Sequence, residues 1–306
     1  MSEPANFLDS TPLLDRLDLL KARFRTDSYL FFRGLLDRDK VFKLRSQILH
    51  KLAGIGWLED ASDPLEARPG AKAHFSPGRQ KDDVALDGEW YAGYKTIQEI
   101  EDFHKLAHDS PLVRLMSQLL GDDLIVHPRK IARASFPGIE YPTPPHQDCT
   151  FNQACPDVLT TWIPIGDVSR ELGGLQILRG SASQGAMTPR PADGVGGERV
   201  DVDENSEDWF TADYKAGDVL VFHGFSVHRA FPNRSDQIRL SADFRYQSAS
   251  DPIKPDTLIP HGYGRGGMPS WKKLSQHWSS LAWIDVPHHI KVVQVMRQEG
   301  PSSRLV

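Results

Sequence analysis

The sequence predicts an α+β protein whose core is a jelly-roll barrel, with helices before and after it. Between about residues 123 and 246, short β-forming runs follow one another, each bounded by turn residues and with no helical segment between them. On either side of this region, apolar residues recur at helical spacing instead. We therefore expect a single domain over 1–306, with a helical part (1–121), a jelly-roll core (122–250) and a C-terminal helical extension (251–306).

The composition is that of a soluble globular protein, with 39% hydrophobic and 25% charged residues. The net charge is −5 and no basic stripe is present, which argues against a nucleic-acid partner. No apolar run approaches the ~20 residues that span a bilayer, and the N-terminus lacks the order of a signal peptide. The only cysteines are Cys149 and Cys155, which favours a reducing cytoplasm. The sequence does not indicate an oligomeric state.

Before the barrel, apolar periodicity predicts helices over 13–24, 37–53, 97–107 and 112–120. A short strand is expected at 29–32. Residues 60–92 are rich in Pro, Gly, Asp and Lys, which indicates a long loop. Asp109 is the expected cap of the last helix, and Gly121 is expected to end it.

Six barrel strands are predicted, over 124–127, 131–136, 159–165, 174–178, 218–223 and 238–246. The stretch 184–213 interrupts this series with Pro, Gly and acidic residues, so we expect an insertion over one mouth of the barrel. The tail over 270–296 again carries large apolar residues at helical spacing, which predicts a C-terminal helical extension.

The pattern His146-x-Asp148 is the first candidate for chemistry. In an extended strand, residues i and i+2 project from the same face, so both side chains would point into the barrel. Two imidazoles and one carboxylate hold iron(II) in many oxygenases and leave neighbouring positions open. With 12 histidines and 29 aspartates in the chain, about one such pair is expected by chance, so the pair alone fits a polar strand end equally well.

His228 is the predicted third ligand, because it opens an extended stretch after the buried strand 218–223. His223 competes for this assignment, since it ends that strand. We favour His223 as a core histidine or as one that supports a ligand from behind. The other histidines fall on predicted helices or loops, where solvent and packing roles are the usual interpretation.

The strand 238–246 alternates strictly, with Arg239, Ser241, Asp243 and Arg245 on one face. Such a face usually points to water. If it instead lines the barrel, an arginine can grip a carboxylate with two parallel hydrogen bonds, and Ser241 can add a hydroxyl. 2-Oxoglutarate chelates iron through one end and needs a buried cation at the other. Arg239 follows His228 by one hairpin length, which suits that anchor.

In these residues and in several further segments, the chain resembles the phytanoyl-CoA dioxygenase family of iron(II)- and 2-oxoglutarate-dependent oxygenases. The resemblance covers about residues 25–250 and keeps the family's order. It is carried by the segments 29–36, 119–121, 145–148, 161–165, 171–181 and 217–222, together with His228 and Arg239.

The resemblance implies a double-stranded β-helix core of the cupin type. It implies that His146, Asp148 and His228 hold Fe(II), and that Arg239 binds the distal carboxylate of 2-oxoglutarate, with O2 as the second co-substrate. It also places Trp162 and Lys95 near the co-substrate, although a strand tryptophan is more often a packing residue. Halogenating relatives have Ala or Gly in place of Asp148, so the intact carboxylate favours hydroxylation.

These features together predict a dioxygenase that hydroxylates a C–H bond of a small-molecule metabolite, with release of succinate and CO2. A secondary metabolite is the favoured substrate class, and no basic cluster in the sequence suits a CoA diphosphate. Phe151, Gln153, Phe225 and the 184–213 insertion are the expected lining of the substrate path. The alternatives are a non-catalytic jelly-roll binding protein and a zinc-dependent hydrolase with the same three ligands.

Overall fold

The computed structural model describes residues 4–73, 88–121, 123–138, 142–152, 154–294 and 305. The α-helices in these residues are α1 (Leu17–Asp27), α2 (Arg38–Gly54), α3 (Gly88–Gln98), α4 (Glu101–Leu106), α5 (Ser110–Leu120) and α6 (Trp271–Leu274). The β-strands are β1 (Ala5–Asn6), β2 (Tyr29–Phe32), β3 (Leu124–Val126), β4 (Ile131–Ser135), β5 (Leu159–Pro164), β6 (Leu175–Leu178), β7 (Arg190–Pro191), β8 (Glu198–Arg199), β9 (Trp209–Thr211), β10 (Val219–His223), β11 (His228–Ala230) and β12 (Arg239–Ser248).

Two sheets form the core, and helices cover the outside of the larger one. The major sheet has the order β2-β10-β5-β12-β3, with β4 also paired to β12, and the minor sheet has the order β1-β9-β6-β11. Phe31, Trp162 and Ile177 belong to one buried cluster that joins the two sheets. Val219 and Leu240 of the major sheet join a second cluster with the helices. This arrangement confirms the predicted α+β jelly-roll, and all six predicted strands lie within two residues of their expected ends.

The helical half differs from the prediction in one region. The expected helix over 97–107 is two helices, because Ile100 adopts an extended conformation between α3 and α4. The start of α3 lies inside the predicted loop 60–92, of which 74–87 is outside the described residues. Tyr91, Tyr94 and Ile97 form its buried face, a helical spacing that the surrounding Gly and Asp residues obscure.

Asp109 takes the N-cap position of α5 but makes no capping hydrogen bond through its side chain. Its carboxylate lies 3.0 Å from Lys40 Nζ instead. In α2, by contrast, the Asp37 carboxylate accepts from the backbone N–H groups of Asp39 and Lys40, as an N-cap does. The predicted helix boundary at 109 is thus correct, while the expected cap is replaced by an ion pair.

Over the described residues 251–294, the C-terminal tail is not the continuous helical extension that we expected. Within the described part of 251–294, the only α-helix is the four-residue α6. The tail is fixed instead by separate polar contacts of its tryptophans. Trp278 Nε1 donates to the Glu99 carbonyl at 2.9 Å, and Trp283 Nε1 donates to Glu101 Oε1 at 2.8 Å. Spacing alone could not separate this arrangement from a helix.

The predicted insertion over 184–213 is also only partly correct. Its middle carries the separate β7–β8 hairpin. Its end, however, contributes β9 to the minor sheet, where Phe210 pairs with Ile177 of β6. The run of Pro, Gly and acidic residues hid this short strand.

Strand β12 is buried on both faces, which decides how its alternation is interpreted. Its apolar residues, such as Leu240 and Phe244, join the core beneath the helices. Its polar residues are also 7% exposed or less, namely Arg239, Ser241, Asp243 and Arg245. The polar face therefore lies inside the protein, and the water-facing alternative is wrong. Among the described residues, no helix is both long and apolar enough to cross a membrane.

Lys130 is a fully buried lysine in the turn between β3 and β4. Its ammonium donates to the carbonyl oxygens of His127 at 3.1 Å and Trp283 at 2.7 Å, so it ties the C-terminal tail to the barrel. Burial lowers the pKa of Lys130 from 10.5 to about 7.

We predict that Lys130→Met flattens the dependence of stability on pH. From about pH 7 to about pH 10 the unfolded chain holds a proton on Lys130 that the folded chain has lost. The wild-type free energy of unfolding therefore rises with pH, by at most about 1.4 kcal/mol per unit from this group. Chemical denaturation at about pH 7 and about pH 9 measures the slope, with exposed Lys105→Met as the control. An unchanged slope in Lys130→Met would contradict the prediction.

Candidate metal and co-substrate site

Three side chains meet at one point inside the jelly-roll. His146, Asp148 and His228 each offer one ligand atom, and these atoms lie within 4.8 Å of one another. Two imidazoles and one carboxylate make the ligand set of a non-haem iron centre. In the described part of the chain, this is the only group of three or more such residues close enough to share a metal ion.

Backbone pairing brings the two histidines together. His146 and His228 form an antiparallel bridge with reciprocal N–H···O bonds of 3.0 Å, and their rings lie 4.1 Å apart. Gln147 is extended, so Asp148 projects to the same side as His146. Asp148 itself begins a 3-10 turn, Asp148–Thr150, so the segment is not the continuous strand that we expected.

Gln147 holds this segment in place, although no sequence pattern had assigned it a role. Its side chain is fully buried. Nε2 donates to the carbonyls of Phe225 at 2.6 Å and Gly185 at 2.9 Å, and Oε1 accepts from the N–H of Met187 at 2.7 Å. Gln147, which lies between the ligands His146 and Asp148, is therefore hydrogen-bonded to both neighbouring loops.

Both ligand histidines have a defined tautomer. Nδ1 of His146 lies 2.9 Å from the Pro144 carbonyl, and Nδ1 of His228 lies 3.0 Å from the Ser226 carbonyl. Because a carbonyl oxygen only accepts, each Nδ1 carries the proton and each Nε2 presents a lone pair. Burial lowers the pKa of both rings, that of His146 to about 3, so both are neutral near pH 7.

Asp148 is held by two partners that a single motif could not reveal. Arg245 Nη2 donates to Oδ1 at 2.9 Å and Nε lies 3.4 Å from Oδ2, while the Thr160 hydroxyl donates to Oδ2 at 2.8 Å. Burial is the largest single influence and raises the pKa of Asp148, but Arg245, the two imidazoles and the Thr160 hydroxyl together outweigh it and hold that pKa below its usual range. The alternation of β12 places Arg245 on the polar face, and this pattern was the one indication in the sequence that Arg245 could contact the metal site.

Arg239 is a buried cation without a matching anion. It is 6% exposed, and Nη1 donates to the Ser241 hydroxyl at 2.6 Å. Among the described residues, its Nε has no hydrogen-bond partner and no carboxylate forms an ion pair with it. Burial lowers the pKa of Arg239 to about 10, so it stays charged near pH 7. A buried guanidinium in this state suits a ligand carboxylate, which is what the distal end of 2-oxoglutarate provides.

Trp162 and Ser241 lie beside this guanidinium. Trp162 of β5 faces Arg239, whose guanidinium carbon is 5.7 Å from the ring centroid. The same ring packs on Tyr214 at 4.5 Å, so Trp162 is also a packing residue. Ser241 is 2% exposed and on the same face of β12 as Arg239. The structure thus brings both residues to the predicted anchor.

Lys95 does not join this group in the structure. It lies on α3 with 43% of its side chain exposed, and its ammonium pairs with Glu99 at 2.6 Å, one helical turn away. This contact of Lys95 lies at the helix surface. Its predicted place near the co-substrate stays a prediction.

His223 lies in the core, as we favoured. It is fully buried, with Nε2 3.3 Å from Asp157 Oδ1, and its Nδ1 accepts from the N–H of Phe225 at 3.0 Å. Phe225 is itself only 4% exposed and packs on the His223 ring, so it is a core residue rather than part of an open path. Phe151 is half-buried and follows the ligand turn. Gln153 lies outside the described residues.

A jelly-roll that aims two neutral imidazoles and a carboxylate at one point, with a buried cation nearby, defines the class of non-haem iron oxygenases. Residues 24–241 match the family described as Phytanoyl-CoA dioxygenase (PhyH). The chain belongs to this family. It is accordingly an enzyme that depends on Fe(II), 2-oxoglutarate and O2.

Curated relatives include the 1-deoxypentalenic acid 11-beta-hydroxylases of Streptomyces exfoliatus and Streptomyces arenae. They are 26% and 27% identical to this chain, over 84% of it and 90% of each relative. Similar folds include the epimerase SnoN, solved with Fe3+, alpha ketoglutarate and nogalamycin RO (TM-score 0.54, 20% identity, 94% of this chain and 96% of that one). EvdO2 from Micromonospora carbonacea var. aurantiaca, solved with 2-oxoglutarate, gives a TM-score of 0.52 at 18% identity, over 81% and 94%.

The two candidate histidines can be separated by metal binding. We predict that His228→Ala lowers the affinity for Fe(II) by at least about tenfold, because it removes a ligand. His223→Gln should keep the affinity within about twofold, since its contacts are to Asp157 and Phe225. Anaerobic titration calorimetry with circular dichroism as a folding control measures both. A larger loss in His223→Gln would reverse the assignment.

Proposed function

We propose that this enzyme hydroxylates a C–H bond of a small secondary metabolite, with Fe(II) held by His146, Asp148 and His228 and 2-oxoglutarate anchored by Arg239 and Ser241. The observation that carries the proposal is the buried guanidinium of Arg239, which has an unsatisfied Nε and no ion pair with a described carboxylate. A metal site of these ligands alone would also suit other chemistry; the additional anion site is what 2-oxoglutarate requires.

The residues have separate tasks in this proposal. When bound, iron, 2-oxoglutarate and O2 supply the oxidising chemistry, which converts the co-substrate to succinate and CO2 and transfers one oxygen atom to the substrate. The Pro144 and Ser226 carbonyls orient the two imidazoles. Arg245 and Thr160 orient the Asp148 carboxylate. The apolar cluster around Trp162 keeps water away from the anchor.

The substrate class is inferred from the relatives. Two relatives are named hydroxylases of 1-deoxypentalenic acid, and a structure of the same fold holds nogalamycin RO. Both names are those of secondary metabolites, so a compound of this kind is the best-supported substrate. The intact Asp148 carboxylate agrees with hydroxylation. We also propose a cytoplasmic location, which the two free cysteines, Cys149 and Cys155, support.

The two alternative functions fit less well. A zinc-dependent hydrolase would use the same three ligands, but it gives the buried Arg239 and Ser241 no task. A binding protein without turnover would not need two histidines whose tautomers both present Nε2 to one point. Membership of a dioxygenase family opposes both.

The direct test is formation of succinate from 2-oxoglutarate under air. We predict that a metabolite library contains compounds that stimulate succinate formation with Fe(II), and that Asp148→Ala reduces this turnover to background because the metal loses a ligand. Mass spectrometry should show a gain of one oxygen atom in the stimulating compound. Product formation without O2, or with zinc in place of iron, would contradict an oxygenase and support a hydrolase.

The anchor has its own test. Arg239→Gln should weaken 2-oxoglutarate binding by about tenfold to a hundredfold, because a charge-assisted pair with the distal carboxylate is lost. Arg239→Lys should restore part of the affinity, since it keeps the charge but not the fork. Calorimetry with Mn(II) in place of Fe(II) measures binding without turnover. Arg190→Gln, at an exposed ion pair with Asp201, is the control. Equal affinity in Arg239→Gln and wild type would contradict the anchor.

A further inference from the structure

Four arginines from three segments of the chain lie close enough to His261 to act on it electrostatically, and one of them, Arg245, bonds to the metal ligand Asp148. They are Arg129 before β4, Arg133 on β4, Arg245 on β12 and Arg265 in the loop after His261. We call these four residues the arginine cluster. In the sequence, Arg129, Lys130 and Arg133 already form one short basic stretch, whereas Arg245 and Arg265 join it only when these segments pack together. The sequence alone led us to expect no basic cluster suited to a CoA diphosphate.

The hydroxyl group of Tyr94 lies where the elements that carry the arginine cluster meet. Tyr94 Oη on α3 lies 2.8 Å from Nδ1 of His261 and accepts from the N–H of Ala132 on β4 at 3.3 Å. Helix α3, strand β4 and the 261–267 loop thus meet at this side chain. The loop then packs tightly on α3, since a Cβ atom at Gly266 would lie 2.0 Å from a ring carbon of Tyr91. Arg265 is presented from this close-packed loop.

The carboxylates near the cluster do not balance its charge. Arg133 pairs with Asp243 at 2.8 Å, and Arg245 pairs with the metal ligand Asp148. Arg129 approaches Asp256 only to 3.5 Å and shares it with Lys254 at 3.7 Å.

Arg265 forms no ion pair with any described residue and is exposed. The four arginines and Lys254 therefore face three described carboxylates, those of Asp148, Asp243 and Asp256. The Nε of Arg129 is in addition buried without a hydrogen-bond partner among the described residues.

All four arginines of the cluster act on the His261 ring. Burial holds the pKa of His261 well below its usual value, and the nearby guanidiniums of the four arginines lower it further. His261 is thus neutral near pH 7 and does not add to the charge. Arg129 and Arg133 keep 23% and 30% of their side chains exposed, so a ligand can reach them. Arg239, in contrast, is 6% exposed on the inner face of β12.

We propose that the arginine cluster binds an anionic group of the substrate, specifically a carboxylate, and so aims a nearby C–H bond at the metal; this rests on the proposed function. An arginine fork matches the two oxygens of a carboxylate. The ring of Trp90 stacks on Tyr94 at 4.8 Å and forms an aromatic wall beside the cluster, which suits an apolar carbon skeleton.

The position of the cluster favours a carboxylate of a compact molecule over a CoA diphosphate. Arg245 bonds directly to the metal ligand Asp148, and Arg133 pairs with Asp243 two residues before Arg245 on β12. The bound anion therefore lies close to the metal and to the bond that is oxidised. The phosphates of an acyl-CoA are many bonds away from any acyl carbon, so they would not sit at this distance from the reaction.

The test uses matched probes on the enzyme loaded with Mn(II) and 2-oxoglutarate, so that the Arg239 site is filled and turnover is blocked. Adamantane-1-carboxylate, adamantane-1-carboxamide and coenzyme A are titrated by calorimetry. We expect the acid to bind at least about tenfold more tightly than the amide, because it alone forms charge-assisted hydrogen bonds. Arg265→Gln should remove most of this preference and Arg265→Lys should keep much of it. Arg16→Gln, an exposed residue paired with Asp18, is the control.

The proposal is overturned if the acid shows no preference over the amide, which includes the case in which neither probe binds. It is also overturned if Arg265→Gln and Arg129→Gln both keep the full preference, or if coenzyme A binds more tightly than the acid. Succinate formation with Fe(II) is measured in parallel. Its absence with every compound refutes the dioxygenase function, whereas the preference for the acid still decides the role of the cluster.

Discussion

The burial of charge on one strand is the constraint on which this structure depends. Strand β12 has its apolar face under the helices and its polar face inside the jelly-roll, so its arginines are withdrawn from water. An unpaired ion in such a place costs several kcal/mol. Arg245 avoids this cost by pairing with Asp148, and the same pair positions Asp148 as a metal ligand. Within the part of the chain that the structure describes, Arg239 bonds only to the Ser241 hydroxyl, and a bound carboxylate would satisfy its remaining donors.

The two anion sites that we propose differ in their exposure to solvent. Arg239 lies deep on the inner face, where a small co-substrate fits. The arginine cluster is partly open and bordered by α3 and the 261–267 loop, where a larger and more varied molecule has access. Arg245 connects the two, since it belongs to the cluster and holds Asp148.

The sequence predicted the parts of the protein that depend on local pattern. Strand alternation and turn residues are local, so the barrel strands and the order of His146, Asp148, His228 and Arg239 could be recognised. Helix α3, which carries Lys95, was missed at its start because its composition resembles a loop. The tail over 270–296 has helical spacing, but separate tryptophan contacts fix it. The pairing of Asp148 with Arg245 joins residues 97 positions apart, and the arginine cluster likewise joins separate segments, so no local sequence pattern encodes these contacts.

The most direct measurement is a crystal structure of the anaerobic complex with Fe(II) and 2-oxoglutarate, with the anomalous signal of iron recorded. We predict one iron peak in contact with Nε2 of His146, Nε2 of His228 and a carboxylate oxygen of Asp148. We also predict the distal carboxylate of 2-oxoglutarate on the Arg239 guanidinium and the Ser241 hydroxyl. An iron peak elsewhere, or 2-oxoglutarate bound away from Arg239, would contradict this prediction.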